Sequence, residues 1–169
     1  GDADRRRYDA AVRAAVRVFD GDSSAVSEHL VARMAELAAT QRFEEAAMVR
    51  DRLSALLGAV RRQQLIAALR AAGRCTVRSG DRSWVVDAAR LVDVVLSDAV
   101  GRALPVDPPG PAVEGRPLPR RHVDEALVLA KHFDKHAHRI EVLTCTGTWR
   151  FPVAASDQLP RLTHLRPAA

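Results

Sequence analysis

Apolar positions recur at helical intervals through the first seventy residues. Tyr8, Val12, Val16 and Phe19 predict a first helix, with Gly21 as its C-terminal stop. Val26, Leu30, Met34 and Leu37 line one face of a second, which Ser23 or Ser24 can cap and which fades at Thr40-Gln41-Arg42. A third starts at Phe43, with Glu44 and Glu45 in its first turn, where the helix dipole favours acids. Its apolar face runs Phe43, Ala46, Ala47, Leu53, Leu57 and Val60 and continues through Leu65 and Leu69 to Gly73. So short a gap between the second and third helices leaves room only for an antiparallel αα-hairpin.

Past Gly73 the period becomes extended. Arg74–Ser79, Ser83–Asp87 and Leu91–Leu96 are β-branched runs separated by Gly80-Asp81-Arg82 and Ala88-Ala89-Arg90, which predicts an antiparallel meander. Pro105, Pro108, Pro109, Pro111, Pro117 and Pro119 then rule out a helix or a central strand and predict an extended surface connection. A helix is expected from about His122 to Ala137, followed by a hairpin of Ile140–Cys145 and Thr148–Val153 turning at Thr146-Gly147. Ser156–Leu162 forms a last short helix in this reading. The expected fold class is α+β. A helical region at 1–72 contains the hairpin at about 24–60, and an α+β tail at 73–169 contains the Pro-rich connection 105–119. No internal repeat is present.

Composition sharpens this picture. Aromatic residues make up only 4% of the 169 residues, so the core must come from Leu, Val and Ala, which favours close helix packing. Of the 26 Lys and Arg residues only Lys131 and Lys135 are Lys; the Arg and Ala excess resembles a GC-rich coding bias and weakens any argument from Arg alone. The net charge is +5, and the part from 116 to 169 is the most basic, which permits contact with nucleic-acid phosphates. Two cysteines, Cys75 and Cys145, make neither a disulfide framework nor a metal quartet and fit a reducing, cytoplasmic setting as small buried thiols. No apolar run is long enough to span a bilayer, so no membrane partner is expected. The first residues, Gly1-Asp2-Ala3-Asp4-Arg5-Arg6-Arg7, lack an apolar signal core, and the missing initiator Met fits a piece of a longer protein.

Few residues offer chemistry. His132 and His136, at i and i+4 with His138 close by, share a helix face but lack an adjacent Glu, and Lys131 and Lys135 oppose a cation; a solvated helix end is the simpler reading. Asp81, Asp87, Asp93 and Asp98 fall mostly at turns and on alternating faces, not at one site. Trp84 and Trp149 are expected as core aromatics. With no nucleophile–base–acid grouping, the chain is expected to be non-catalytic and to need no cofactor. Arg116, Arg120 and Arg121 form a short basic run suited to weak, non-specific contact with DNA, as does Arg5-Arg6-Arg7, although ordinary solvated charge accounts for both.

The most informative stretch is Leu30 to Leu57. Leu30, Met34, Leu37 and Ala38, then Phe43, Glu44, Ala46, Ala47, Arg50 and Asp51, resemble the UVR motif, the αα-hairpin shared by the excinuclease subunits UvrB and UvrC. The resemblance implies a docking role: Phe43 as apolar anchor, Ala46 and Ala47 for close helix approach, Glu44, Glu45, Arg50 and Asp51 for orientation by cross-helix or cross-chain charge pairing. The partner it implies is a UvrB-type protein or a second copy of this chain. The structural alternative is that this face packs within the chain. The wider layout resembles the C-terminal region of UvrC/Cho-like nucleases, as in actinobacterial fusions of a DEDDh exonuclease and a GIY-YIG domain. Arg74–Leu96, Val123–Ala137 and Thr148-Trp149-Arg150-Phe151-Pro152 carry that likeness. Neither nuclease motif occurs here, so cleavage would belong to other residues of such a protein. UVR-like hairpins also occur in adaptors of Clp-type AAA+ proteases, but those usually bring Cys-x-x-Cys zinc sites, absent from this chain.

Overall fold

The computed structural model describes residues 4–6, 8–9, 12–13, 24–96 and 118–153. They form α1 (Ser24–Ala39), α2 (Phe43–Ala71), β1 (Cys75–Ser79), β2 (Arg82–Asp87), β3 (Arg90–Leu96), α3 (Arg120–His136), a 3-10 turn (Ala137–Arg139) and β4 (Glu141–Cys145). The fold is α+β, with two compact units whose boundary along α2 follows Gln64. Of the expected first helix, the described residues are helical and exposed, while Val16 and Phe19 lie outside the described residues, as do the Pro-rich connection up to Pro117 and the segment Ser156–Leu162.

In the first unit α1 and the start of α2 make a hairpin. Met34 and Leu37 near the end of α1 are buried with Ala46 at the start of α2, and Val49 packs against them. Leu53, Leu57 and Val60 continue the same helix face and are buried. The turn is a Schellman motif. Arg42 N–H donates to the Leu37 carbonyl (2.9 Å) and Gln41 N–H to the Ala38 carbonyl (3.0 Å), which satisfies two orphan carbonyls of α1. Gln41 therefore sits at φ 59°, where glycine is usual. Thr40 adds its hydroxyl, donating at 3.1 Å to the Leu37 carbonyl.

The second unit is a four-stranded antiparallel sheet in the order β3-β2-β1-β4. The meander expected after Gly73 is present, with strand ends within a residue or so of the expectation. Gly80, at φ 61°, makes the two-residue turn between β1 and β2; Ala88 and Ala89, at φ 49° and 63°, make the one between β2 and β3. One sheet face carries Cys75, Val77 and Val86, all fully buried, and joins Leu65, Ala68, Leu69 and Ala72 of α2, Ala126, Ala130 and Phe133 of α3, and Phe151 in a single core. The opposite face carries Thr76, Arg78, Ser83, Thr144 and Glu141, with Arg78 bonded to Glu141 at 2.7 Å. That division is the usual one for an antiparallel sheet covered on one side. Glu125 ties α3 to the sheet, accepting from the Leu91 N–H at 2.8 Å and lying 3.6 Å from the Arg90 guanidinium.

The expected strand at Thr148–Val153 is not formed. Gly147 N–H and Thr148 N–H instead donate to the Ala72 and Ala71 carbonyls (3.0 and 2.7 Å), capping the C-terminus of α2. The contact is so close that a Cβ on Gly147 would lie 2.1 Å from the Ala71 carbonyl oxygen. Val153 N–H donates to Asp134 of α3 at 2.8 Å. The backbone donors of this stretch thus go to helices, while Trp149 and Phe151 still face the core and ring Phe133 at centroid distances of 5.5 and 6.0 Å. Trp84 reaches Phe133 from the sheet side at 6.5 Å, so both tryptophans are core aromatics as expected.

Candidate docking surface on the helical hairpin

The turn into α2 is held by Arg42, whose guanidinium forks onto the Glu45 carboxylate, with Nε to Oε1 at 2.6 Å. This fixes the first turn of α2 while leaving Phe43 pointing away from the hairpin core, 65% exposed. Ala47 and Arg50 share its side of the helix, and Asp51 flanks them. Arg50 and Asp51 pair at 2.8 Å, both in solvent, and Glu44 is exposed. Among the six residues singled out from the sequence, Phe43, Glu44, Arg50 and Asp51 thus lie on the free surface and Ala47 is half-buried. Ala46 differs: it is buried against Met34 and Leu37, so its small side chain serves the packing of α1 on α2. Met48, 53% exposed, is an apolar residue on this turn that sequence reasoning left out; it breaks the i, i+3, i+4 run of buried positions, and that break is the signal that marks it as surface.

Phe43 thus stands exposed at the tip of the two-helix hairpin, with Ala47 and the solvent-exposed Arg50–Asp51 pair on the next two turns of the same helix. Residues 26–58, about a fifth of the chain, match the protein family described as the UvrB/uvrC motif. The hairpin is a UVR motif. The match relates the chain to UvrB and UvrC through this element and is consistent with a protein partner. No curated protein and no solved structure matches the chain.

The other candidates lie in the second unit. Arg120 and Arg121 are exposed on the first turn of α3, where Arg121 Nε donates to the His122 ring at 3.0 Å; Arg116 lies outside the described residues. The His132 and His136 rings lie 4.7 Å apart, tilted at 45°, and His132 also meets Trp84 edge-on at 5.5 Å. Desolvation lowers the His136 pKa, and repulsion from His132, Lys135, Arg139 and His138 lowers it further. Among the described residues, no three His, Cys, Asp or Glu side chains come together as a metal site. Asp81 and Asp87 sit at opposite ends of β2, the latter 3.3 Å from Arg74, and Asp98 lies outside the described residues. Cys75 and Cys145 are direct partners across β1 and β4 and both are free thiols, with Cys145 Sγ donating to the Ala72 carbonyl at 3.1 Å. Burial is the main cause that pushes the Cys75 thiol up to about 11, with Cys145 and Asp87 adding to it. No described helix is long and apolar enough to cross a membrane.

Proposed function

We propose that this chain is the non-catalytic part of a UvrC/Cho-like excision-repair nuclease. Its UVR hairpin docks a UvrB-type protein or a second copy of the chain, and its sheet unit positions the nuclease on DNA. The observation that supports this reading is Phe43, the anchor position of the motif, standing 65% exposed beside Arg50 and Asp51. A large aromatic left in solvent contributes little to the folded monomer and offers its full apolar surface to a partner. The charged rim selects which partner and which orientation. Cleavage, on this reading, is the work of other residues of the nuclease.

Phe43→Ala tests it. If Phe43 is the anchor, the substitution weakens association by about 2–4 kcal/mol, the range of an interface hot spot. Thermal stability then changes little, because the ring covers no core. Sedimentation of the chain alone and mixed with a purified UvrB-type protein, with melting curves for both forms, gives the two readouts. A large drop in melting temperature with unchanged association would overturn the docking role.

A further inference from the structure

The charges of the sheet and those of α3 are handled differently. On the sheet, Arg74 faces Asp87, Arg78 faces Glu141, Arg82 faces Asp81 and Arg90 faces Glu125. On α3, Glu125 and Asp134 turn inward and bond the N–H groups of Leu91 and Val153. That leaves Arg120, Arg121, Lys131 and Lys135 on the solvent face against a single acid, Asp124. Among the described residues these four cations form no ion pair.

Helical geometry places them on one surface. Ala126, Ala130 and Phe133 are buried on one side of α3; Arg120, Arg121, Asp124, Val128, Lys131 and Lys135 are all exposed on the other. Val128 sits midway, 68% exposed. From Arg121 to Lys135 the stripe runs about 21 Å, at 1.5 Å per residue. The two lysines, the only ones in a chain otherwise biased to Arg, stand one turn apart on it.

We propose that the solvent face of α3, centred on Lys131 and Lys135, binds the phosphodiester backbone of a nucleic acid. The stripe is centred on two lysine ammonium groups, compact point charges one helix turn apart that suit phosphates and do not read base edges, so the contact is to backbone and is independent of sequence. It deepens the part of the proposed function given to the sheet unit, yet it stands on charges outside the hairpin and does not require the hairpin to dock anything.

The test is fluorescence anisotropy of the whole chain with a short labelled single strand and with the matching duplex, across a salt series starting near 50 mM. Wild type is expected to bind, with affinity falling linearly in log salt. For the duplex, Lys131→Ala/Lys135→Ala should flatten that slope by about 2, since each lost phosphate contact removes about 0.9, and should weaken binding at least tenfold at the lowest salt. Lys131→Arg/Lys135→Arg should restore both, and Arg78→Ala on the paired sheet face should change neither. Circular dichroism of each variant guards against a folding defect. The two nucleic acids separate single-stranded from duplex backbone as the preferred source of phosphates. No binding by wild type at the lowest salt, an unchanged slope in the double alanine variant, or equal binding of polyglutamate would overturn the proposal. Because Phe43 is untouched throughout, failure here leaves the hairpin's docking role standing, and failure of docking leaves this surface standing.

Discussion

Cys75 shows how a single buried group couples folding to pH. Its thiol is fully buried on β1 opposite Cys145, and burial first, then Cys145 and Asp87, raise its pKa from an ordinary 9.0 to about 11. Well below pH 9 the thiol is protonated whether the chain is folded or not, and burial costs nothing in charge. Between about pH 9 and 11 the unfolded chain releases the proton and the folded chain keeps it, so stability falls as pH rises. The loss should be on the order of 2 kcal/mol by pH 11, since each pKa unit corresponds to about 1.4 kcal/mol. Urea unfolding of wild type and Cys75→Ala at pH 8 and pH 10.5 checks it. The gap between them should shift in favour of the alanine variant at the higher pH, and a constant gap would contradict the burial of the thiol.

At the scale of elements, the hairpin turn carries a correctable strain. Gln41 holds φ 59° because both Schellman hydrogen bonds of α1 require a left-handed residue there, and a side chain with a Cβ is strained in that region. Gln41→Gly is expected to stabilise the hairpin by about 0.5–1 kcal/mol, relief of strain being partly offset by the greater freedom of glycine when unfolded. Denaturation followed by far-UV circular dichroism reads this directly, and destabilisation would mean that the Gln41 side chain makes a contact of its own. The same strain recurs at Ala88 and Ala89, but Ala89 is fully buried, so its methyl group belongs to the core and glycine there would leave a gap. The breaks at Thr40-Gln41-Arg42 and Ala88-Ala89-Arg90 were legible in the sequence, but their left-handed backbone was not, because none of these positions carries the glycine that announces it at Gly80. The helices and the meander were legible because their burial follows their periodicity. Thr148–Val153 differs from the expected strand for a related reason: Trp149, Phe151 and Val153 alternate as a strand's residues do, but the Thr148 N–H goes to α2 and the Val153 N–H to Asp134 instead of to a ladder. Periodicity reports which side chains face inward and is silent about where the backbone donors go.

At the scale of the whole molecule, the UVR residues were legible because a short motif fixes side-chain chemistry at set helical positions. The cationic face of α3 was only half legible: Arg120 and Arg121 form a run in the sequence, but Lys131 and Lys135 stand among histidines and near Glu125 and Asp134, and only the fold turns those two acids inward. The two proposed surfaces lie in different compact units and share no residue. Their contributions should therefore add, as effects of sites with no shared partner do. Lys131→Ala/Lys135→Ala should leave association through the hairpin unchanged. Phe43→Ala should leave the intrinsic nucleic-acid contact of each chain unchanged, yet its effect on the measured salt slope depends on the partner. If the hairpin pairs with a second copy, the associated species carries two cationic faces, and a dimer that engages both neutralises about twice as many phosphates as one chain. Phe43→Ala would then roughly halve the slope in a titration run at concentrations where wild type is associated. If the hairpin instead receives a different protein, wild type alone is already monomeric and the slope stays the same. Sedimentation and anisotropy on one set of samples thus separate self-association from docking of a UvrB-type partner, and a slope altered in Phe43→Ala while wild type sediments as a monomer would contradict the independence of the two surfaces.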